Sequence, residues 1–288
     1  MSTEWGKLYI VATPIGNLGD ITLRALEILQ SVDIVAAEDT RQTGKLLAHF
    51  QIKKPMLSYF EHNKAQRGPQ LIEKLKSGQD VALVSDAGTP GISDPGADIV
   101  KEAVAEGIAV TMAPGPAAGI MALVLSGLDT GRFVFEGFLP EDKKKRTGIL
   151  EQLVTEPRTV IFYESPHRIT STLKEMSQLL GGGRRMALCR ELTKIHEEIT
   201  LKSIDRHLAD FEERTPRGEY VMVLEGVDSA VIKEQNRAAW ADVSVREHVD
   251  SLIAQGLDRK TAIKKAALER GSTRNEIYSM YESEKTES

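Results

Sequence analysis

Three short clusters in this sequence set an acid beside a base: Glu38-Asp39-Thr40-Arg41, Glu164-Ser165-Pro166-His167-Arg168 and Arg190-Glu191-Leu192-Thr193-Lys194. Each follows a run of apolar, strand-like residues. Such clusters can form ion pairs, grip phosphates or take up a proton, and spacing does not choose among these roles. Beside them stand loops dense in proline and glycine: Thr13–Asp20, Ser85–Gly96 and Ala113–Ala118. Glycine lets backbone approach a ligand and proline fixes φ, so a loop holding both can be open and stiff at once. None of the three is a Walker A loop or a GxGxxG fingerprint. A serine hydrolase has no GxSxG elbow here, and the six histidines are scattered without ligand spacing, so no metal site is expected. What remains is a transfer enzyme whose organic cofactor lies on Pro/Gly backbone, with its acceptor near the charged strand ends.

The central loop follows Val81–Val84, four apolar residues that read as a buried strand, and precedes a helical stretch at Ala97–Glu106. Leu8–Ala12 and Ile108–Met112 read as the strands before the other two loops. Further strands are expected at Ile34–Ala37 and Met56–Tyr59, with helices at Thr22–Gln30, Lys45–Phe50, Gln66–Lys76 and Ala118–Leu125. Short strands alternating with helices predict a parallel sheet, which sends its βα loops to one edge. This first α/β domain is expected over residues 1–126. A second is expected over 127–229, with strands at Phe133–Phe138, Thr159–Tyr163, Met186–Cys189 and Tyr220–Leu224. Ala230–Ala241 resembles a linker.

The rest, to residue 288, shows three helical patterns: Val245–Ala254, Arg259–Glu269 and Arg274–Tyr281. Between Gly256 and Arg274 lie six basic residues against two acids, which fits a helix-turn-helix nucleic-acid reader. A small helical bundle with a solvated basic face fits equally. The 288 residues carry a net charge of −5, so nucleic-acid binding must come from local patches such as this one or Lys143–Arg146. The single cysteine, Cys189, excludes an internal disulfide framework and reads as a buried thiol. No apolar run is long enough to span a membrane and no secretory segment is evident, which leads to a cytoplasmic expectation.

TPIGNLGDIT, AAEDTR, SDAGTPGISDPG, PGP, FYESPHR and RELTK, in this order and at these intervals, closely resemble the small-subunit ribosomal RNA methyltransferase branch of the tetrapyrrole methylase superfamily. The resemblance runs from Leu8 to about Gly226 and more loosely to the end. One departure is Ala117, where serine or cysteine is more usual; a backbone role there is unaffected. The resemblance implies two α/β domains with a cofactor cleft between them, a small C-terminal helical domain and a homodimer. It also implies S-adenosylmethionine as methyl donor and, as acceptor, a cytidine ribose 2′-OH in the decoding region of 16S rRNA; the basic patches at Lys143–Arg146 and Arg259–Arg274, suited to gripping a shaped particle at several points, add the expectation that the substrate is the 30S subunit. On this reading Pro14, Asp86, Ala87, Gly88, Thr89, Pro90, Pro114, Gly115 and Pro116 hold the cofactor. Glu164, Glu191 and Lys194 are the candidate proton handlers, with Glu38 behind them and structural ion pairing as the alternative role. Arg41, Arg168, Arg259, Lys264 and Lys265 are the expected RNA contacts. The runner-up is a methylase of the same fold acting on a tetrapyrrole or other small molecule. A third reading is a nucleic-acid-binding protein whose α/β part only senses a ligand.

Overall fold

The computed structural model describes residues 5–286 and divides into two compact units, Met1–Arg146 with Thr159–Glu225 and Thr147–Arg158 with Gly226–Ser288. The first unit holds two five-stranded sheets. In chain order the first sheet's part runs β1 (Leu8–Val11), α1 (Leu23–Ser31), β2 (Ile34–Ala37), α2 (Thr40–His49), β3 (Met56–Ser58), α3 (Lys64–Lys76), β4 (Val81–Val84), α4 (Gly96–Ala105), β5 (Val110–Ala113) and α5 (Ala118–Leu125). The strands lie in the order β3-β2-β4-β1-β5 and all pair in parallel. Both faces are covered: Leu8, Ile10, Leu71, Leu83 and Ile99 form one core, and Val11, Leu29, Val35, Leu47 and Val84 the other. Strands buried on two sides have no polar alternation, which is why β2 and β4 are apolar throughout.

The second sheet is built from β6 (Phe133–Phe138), β7 (Thr159–Glu164), β8 (Arg185–Arg190), β9 (Glu198–Ser203) and β10 (Tyr220–Leu224). Helix α6 (Lys143–Gln152) lies between β6 and β7 in the chain, α7 (Ile169–Leu180) between β7 and β8, and α8 (Ile204–Glu213) between β9 and β10. The order is β6-β7-β10-β8-β9, with β10 antiparallel to both of its neighbours. Strand β9 is an edge strand that the sequence pattern did not suggest, since its residues are only half-buried and flanked by charges. Helix α5 packs its Ala122 and Leu123 into this sheet's core beside Ile161, Cys189 and Val223.

The second unit carries α9 (Ser229–Ala239), α10 (Val245–Ala254), α11 (Arg259–Glu269) and α12 (Arg274–Thr286). The stretch read as a linker is therefore helical over most of its length, started by the Asp228 side chain accepting from Ala230 N–H. Val249, Leu252, Ile263, Ala266 and Ile277 form the core of α10, α11 and α12. Trp240 stacks on buried His248 at 3.6 Å, and His248 Nε2 lies 2.8 Å from Glu269 Oε2. Arg270 Nε donates to His248 Nδ1 at 3.1 Å, and its Nη2 donates to the carbonyls of both Val243 and Ser244.

Cys189 lies on β8 with no exposed surface, and burial pushes its thiol up to about 12. A thiol reacts through its thiolate, so this one should be inert in the folded protein. At pH 8, a chromogenic disulfide reagent should therefore titrate no cysteine in native protein and one per chain in denaturant. Rapid native labelling would contradict this burial.

Candidate active site

The parallel first sheet brings the loops after β1, β2, β4 and β5 to one edge, and hydrogen bonds then fasten them to each other. Thr13 N–H donates to Gly88 O at 2.9 Å and Gly88 N–H to Thr13 O at 3.0 Å. Thr89 Oγ1 donates to Pro116 O at 3.0 Å, joining the β4 loop to the β5 loop. Asp39 N–H donates to Asp86 Oδ1 at 3.0 Å, joining the β2 end to the same loop. Asp39 is also the N-cap of α2, which is why that helix begins at Thr40 rather than at the expected Lys45. The β4 loop is thus bonded to three others.

Its shape depends on glycine. Gly88 has φ +80°, and a Cβ there would meet Ile15 Cγ2 at 3.2 Å and Pro116 O at 3.6 Å. A Cβ on Gly115 would meet Ala12 Cβ at 2.8 Å. Ser93 stands at φ 64°, a strained value for a residue with a side chain. Asp94 fixes the turn by accepting from Gly91 N–H and Gly96 N–H, at 2.8 and 2.7 Å. Ala117 is the N-cap of α5 and supplies no side-chain bond to it.

Two cavities of about 490 Å³ each open beside this loop, and Ile15, Ser85, Asp86, Ala87 and Glu219 line both. The first also takes in Glu38, Gly88, Thr89, Asp94, Ala118, Phe138, Tyr163 and Glu164. Tyr163 is held by Phe135 and Phe138 at centroid distances of 5.1 and 5.5 Å, and its hydroxyl accepts from Gly119 N–H. Burial raises the Tyr163 hydroxyl and, among the carboxyls, raises Asp94. Glu38 is raised by burial first and then by the charge of Asp86. The second cavity is lined by Pro14, Gly16, Gln42, Lys45 and Lys194. Pro90, Pro114, Gly115 and Pro116, expected to hold the cofactor, line neither cavity; Pro116 instead ties the β5 loop to Thr89 of the lining loop.

The two sheets meet at Lys194. Its stem lies so close to Gly16 that a Cβ there would meet Lys194 Cγ at 2.4 Å. Lys194 Nζ donates to Glu191 Oε1 at 3.0 Å and to Glu219 Oε2 at 2.8 Å. Glu191 Oε1 also accepts from Glu219 N–H at 3.0 Å. Burial alone would raise the Glu191 carboxyl, but Glu219 N–H and Lys194 outweigh it and hold it below the usual range. Burial alone would lower Lys194, yet Glu219 and Glu191 hold it above its ordinary value. The loop carrying them is bent through left-handed residues at Glu191 (φ 51°) and Thr193 (φ 68°). Such backbone is kept only where its surroundings enforce it.

Glu164 is buried, accepting from Ser165 N–H at 2.8 Å and Thr172 Oγ1 at 2.7 Å, with Arg168 Nε 3.6 Å away. Arg168 also donates to Leu139 O, so its guanidinium is turned into the fold. Arg41 is exposed, but its fork is closed on Asp39. In the second unit Arg259 pairs with Glu282 and lies over the rings of Tyr278 and Tyr281. Lys264 and Lys265 are exposed on α11, and Lys260 stands one turn before Lys264 on the same face. Sequence reasoning missed Glu219, Gly16 and Tyr163. Glu219 reaches the cleft because antiparallel β10 begins between the ends of β7 and β8, with Tyr220 opposite both Glu164 and Arg190. Among the described residues no group of three or more His, Cys, Asp or Glu side chains is set to hold a metal ion.

A parallel α/β sheet with Pro/Gly loops at one edge, closed by a second mixed sheet, defines a class of α/β methylases. The chain belongs to the tetrapyrrole (corrin/porphyrin) methylase family, whose model matches residues 7–206. It is similar to proteins named ribosomal RNA small subunit methyltransferase I. The Synechocystis sp. protein is 47% identical over 275 residues, covering 96% of this chain and 97% of its own. The Bacillus subtilis protein is 46% identical over 279 residues, covering 97% and 95%. Among solved structures, the uroporphyrin-III C-methyltransferase of Thermus thermophilus complexed with S-adenosylhomocysteine aligns with a TM-score of 0.54 at 18% identity, covering 76% of this chain and 97% of that one. Diphthine synthase aligns with a TM-score of 0.57 at 15% identity, covering 76% and 89%. These two likenesses concern the fold.

Gly218, at φ +81°, leaves the space in which Glu191 sits: a Cβ there would meet the Glu191 carboxylate oxygen at 2.6 Å. Gly218→Ala should cost roughly 1–3 kcal/mol in urea unfolding, by placing alanine in left-handed backbone and displacing Glu191. A change below a few tenths of a kcal/mol would show that neither constraint operates.

Proposed function

We propose that this protein methylates the ribose 2′-OH of a cytidine in the decoding region of 16S rRNA, using S-adenosylmethionine, in the cytoplasm, with the 30S particle as its substrate. The observation that carries the reading is 47% identity over 96% of the chain to a protein named for small-subunit ribosomal RNA methylation. No helix among the described residues is long and apolar enough to cross a membrane.

The first cavity fits the donor. Its lining includes the backbone of Gly88, where a Cβ would crowd Ile15 and Pro116, its wall is aromatic at Tyr163 and Phe138, and its rim carries carboxylates for a cationic ligand. S-adenosylmethionine would supply a methyl group already activated on a sulfonium. The protein's tasks are alignment and disposal of one proton. Asp86, Ala87, Gly88 and Thr89 hold the donor, while Pro14, Pro90, Pro114, Gly115 and Pro116 stiffen their neighbours. The acceptor enters the second cavity, where Lys194 is kept charged and faces the ribose oxygen or an adjoining phosphate. Glu191 and Glu219 fix that ammonium and are the carboxylates beside the departing proton. Glu164, with both oxygens engaged, shapes the donor wall. Recognition of a 2′-OH also separates RNA from DNA.

Exposed Lys260, Lys264 and Lys265 on α11 are the RNA-facing groups of the second unit, whereas Arg259 and Arg168 serve packing and Arg41 keeps only its outer face free. The protein acts as a homodimer. Exposed Ile120, Val124 and Leu125 on α5 and Phe133 and Phe135 on β6 form the apolar patch for a second copy.

Labelled methyl transfer to 30S particles, free 16S rRNA and a short oligonucleotide, followed by digestion to nucleosides, tests this reading. The label should appear as 2′-O-methylcytidine, most efficiently from 30S particles. Gly88→Val should abolish transfer, and Lys260→Glu with Lys264→Glu should weaken it with a smaller salt dependence. Label on a base, or transfer to a porphyrin instead of RNA, would overturn the assignment.

A further inference from the structure

The donor cavity is lined by five carboxylates, those of Glu38, Asp86, Asp94, Glu164 and Glu219, and by no Lys, Arg or His among the described residues. Two of the five are neutralised by side chains outside the lining: Glu164 faces Arg168, and Glu219 binds Lys194. The other three have no cation in salt-bridge contact: Asp86 accepts from Asp39 N–H, Asp94 accepts from Gly91 and Gly96 N–H, and Glu38 stands beside Asp86. Backbone N–H groups ease the charge without cancelling it, so this wall carries a net negative field into a cavity with an apolar remainder. Glu38 and Asp94 are half-buried and Asp86 is exposed, with the nearest guanidinium, Arg41, closed on Asp39; like charges on one wall oppose one another unless a cation lies among them.

We propose that Glu38, together with Asp86, makes the cleft prefer the cationic methyl donor over its uncharged product, and so favours release of S-adenosylhomocysteine after transfer. The inference rests on S-adenosylmethionine being the donor. The two molecules share the adenosine and the amino-acid zwitterion and differ by one methyl group and one positive charge on sulfur. Contacts to the shared parts cancel in the ratio of their affinities, and the field of the wall acts on the difference alone. The rise of the Glu38 carboxyl, from burial and from Asp86, expresses the same crowding of negative charge. Asp94 belongs to the wall but also holds its own turn, so it is a poor position to vary.

Calorimetric titration with S-adenosylmethionine, with S-adenosylhomocysteine and with sinefungin, in which an amine replaces the sulfonium, tests this. Glu38→Gln keeps the shape of the side chain and removes its charge. It should reduce the preference for both cations over S-adenosylhomocysteine about tenfold, or about 1.4 kcal/mol. Asp86→Asn keeps its acceptor for Asp39 N–H and should shift the ratio in the same direction, so the proposal does not depend on one variant folding. Equal loss for all three ligands would assign Glu38 to the shared adenosine or amino-acid part and overturn the proposal. An unchanged ratio in both variants would overturn it too. Failure of the unaltered protein to bind any of the three would instead remove the donor reading on which it rests.

Discussion

The reciprocal pair between Thr13 and Gly88 is the contact on which the site depends. Two N–H···O bonds at 2.9 and 3.0 Å turn the loops after β1 and β4 into a short antiparallel bridge beyond the parallel sheet. Once they are joined, Thr89 can reach Pro116 and Asp86 can receive Asp39 N–H, so four strand ends become one surface. Only a residue free to take φ +80° can occupy position 88, and the space a side chain would need there is bordered by Ile15 and Pro116. Geometry of this kind costs conformational entropy at assembly, and the enclosing bonds offset it.

The two cavities that share this surface differ in charge. One is lined by carboxylates with no basic side chain, the other sets Lys45 and Lys194 against Asp86 and Glu219, and the Asp86-Ala87 segment borders both. On the proposed function, the acid-only lining of the first suits a donor that is cationic at its reacting centre. At that border Lys194 is held by Glu191 and Glu219, which are themselves joined through Glu219 N–H. The left-handed backbone at Glu191 and Thr193 brings that triad against Gly16 of the other sheet.

Much of this was legible in the residues. Val81–Val84, Ile34–Ala37 and Tyr220–Leu224 are apolar because sheet or helix covers them on both sides, and their bounds match the expectation. The three Pro/Gly loops could be placed at one edge because parallel strands leave no other choice. The direction of β10 could not be read, since an isolated apolar strand carries no sign of its partner's polarity. That direction alone delivers Glu219 to the cleft. Strand β9 was hidden by half-burial at an edge, and α9 by a polar composition that its Asp228 cap turns into helix. Arg168 and Arg259 read as surface cations, but a long side chain can fold back onto carbonyls, carboxylates and rings, and sequence spacing does not reveal when it does.

On the proposed function, Ser85–Gly96, clamped between Thr13 and Pro116, is the surface on which the methyl donor rests. Hydrogen–deuterium exchange of the full-length protein, with and without saturating S-adenosylmethionine, measures this directly. Protection should rise in peptides covering Asp86–Thr89, Ala117–Gly119 and Tyr163–Ser165, while α10, α11 and α12 exchange as before. Protection confined to the C-terminal helices, or none at Asp86–Thr89 under saturating donor, would contradict the account.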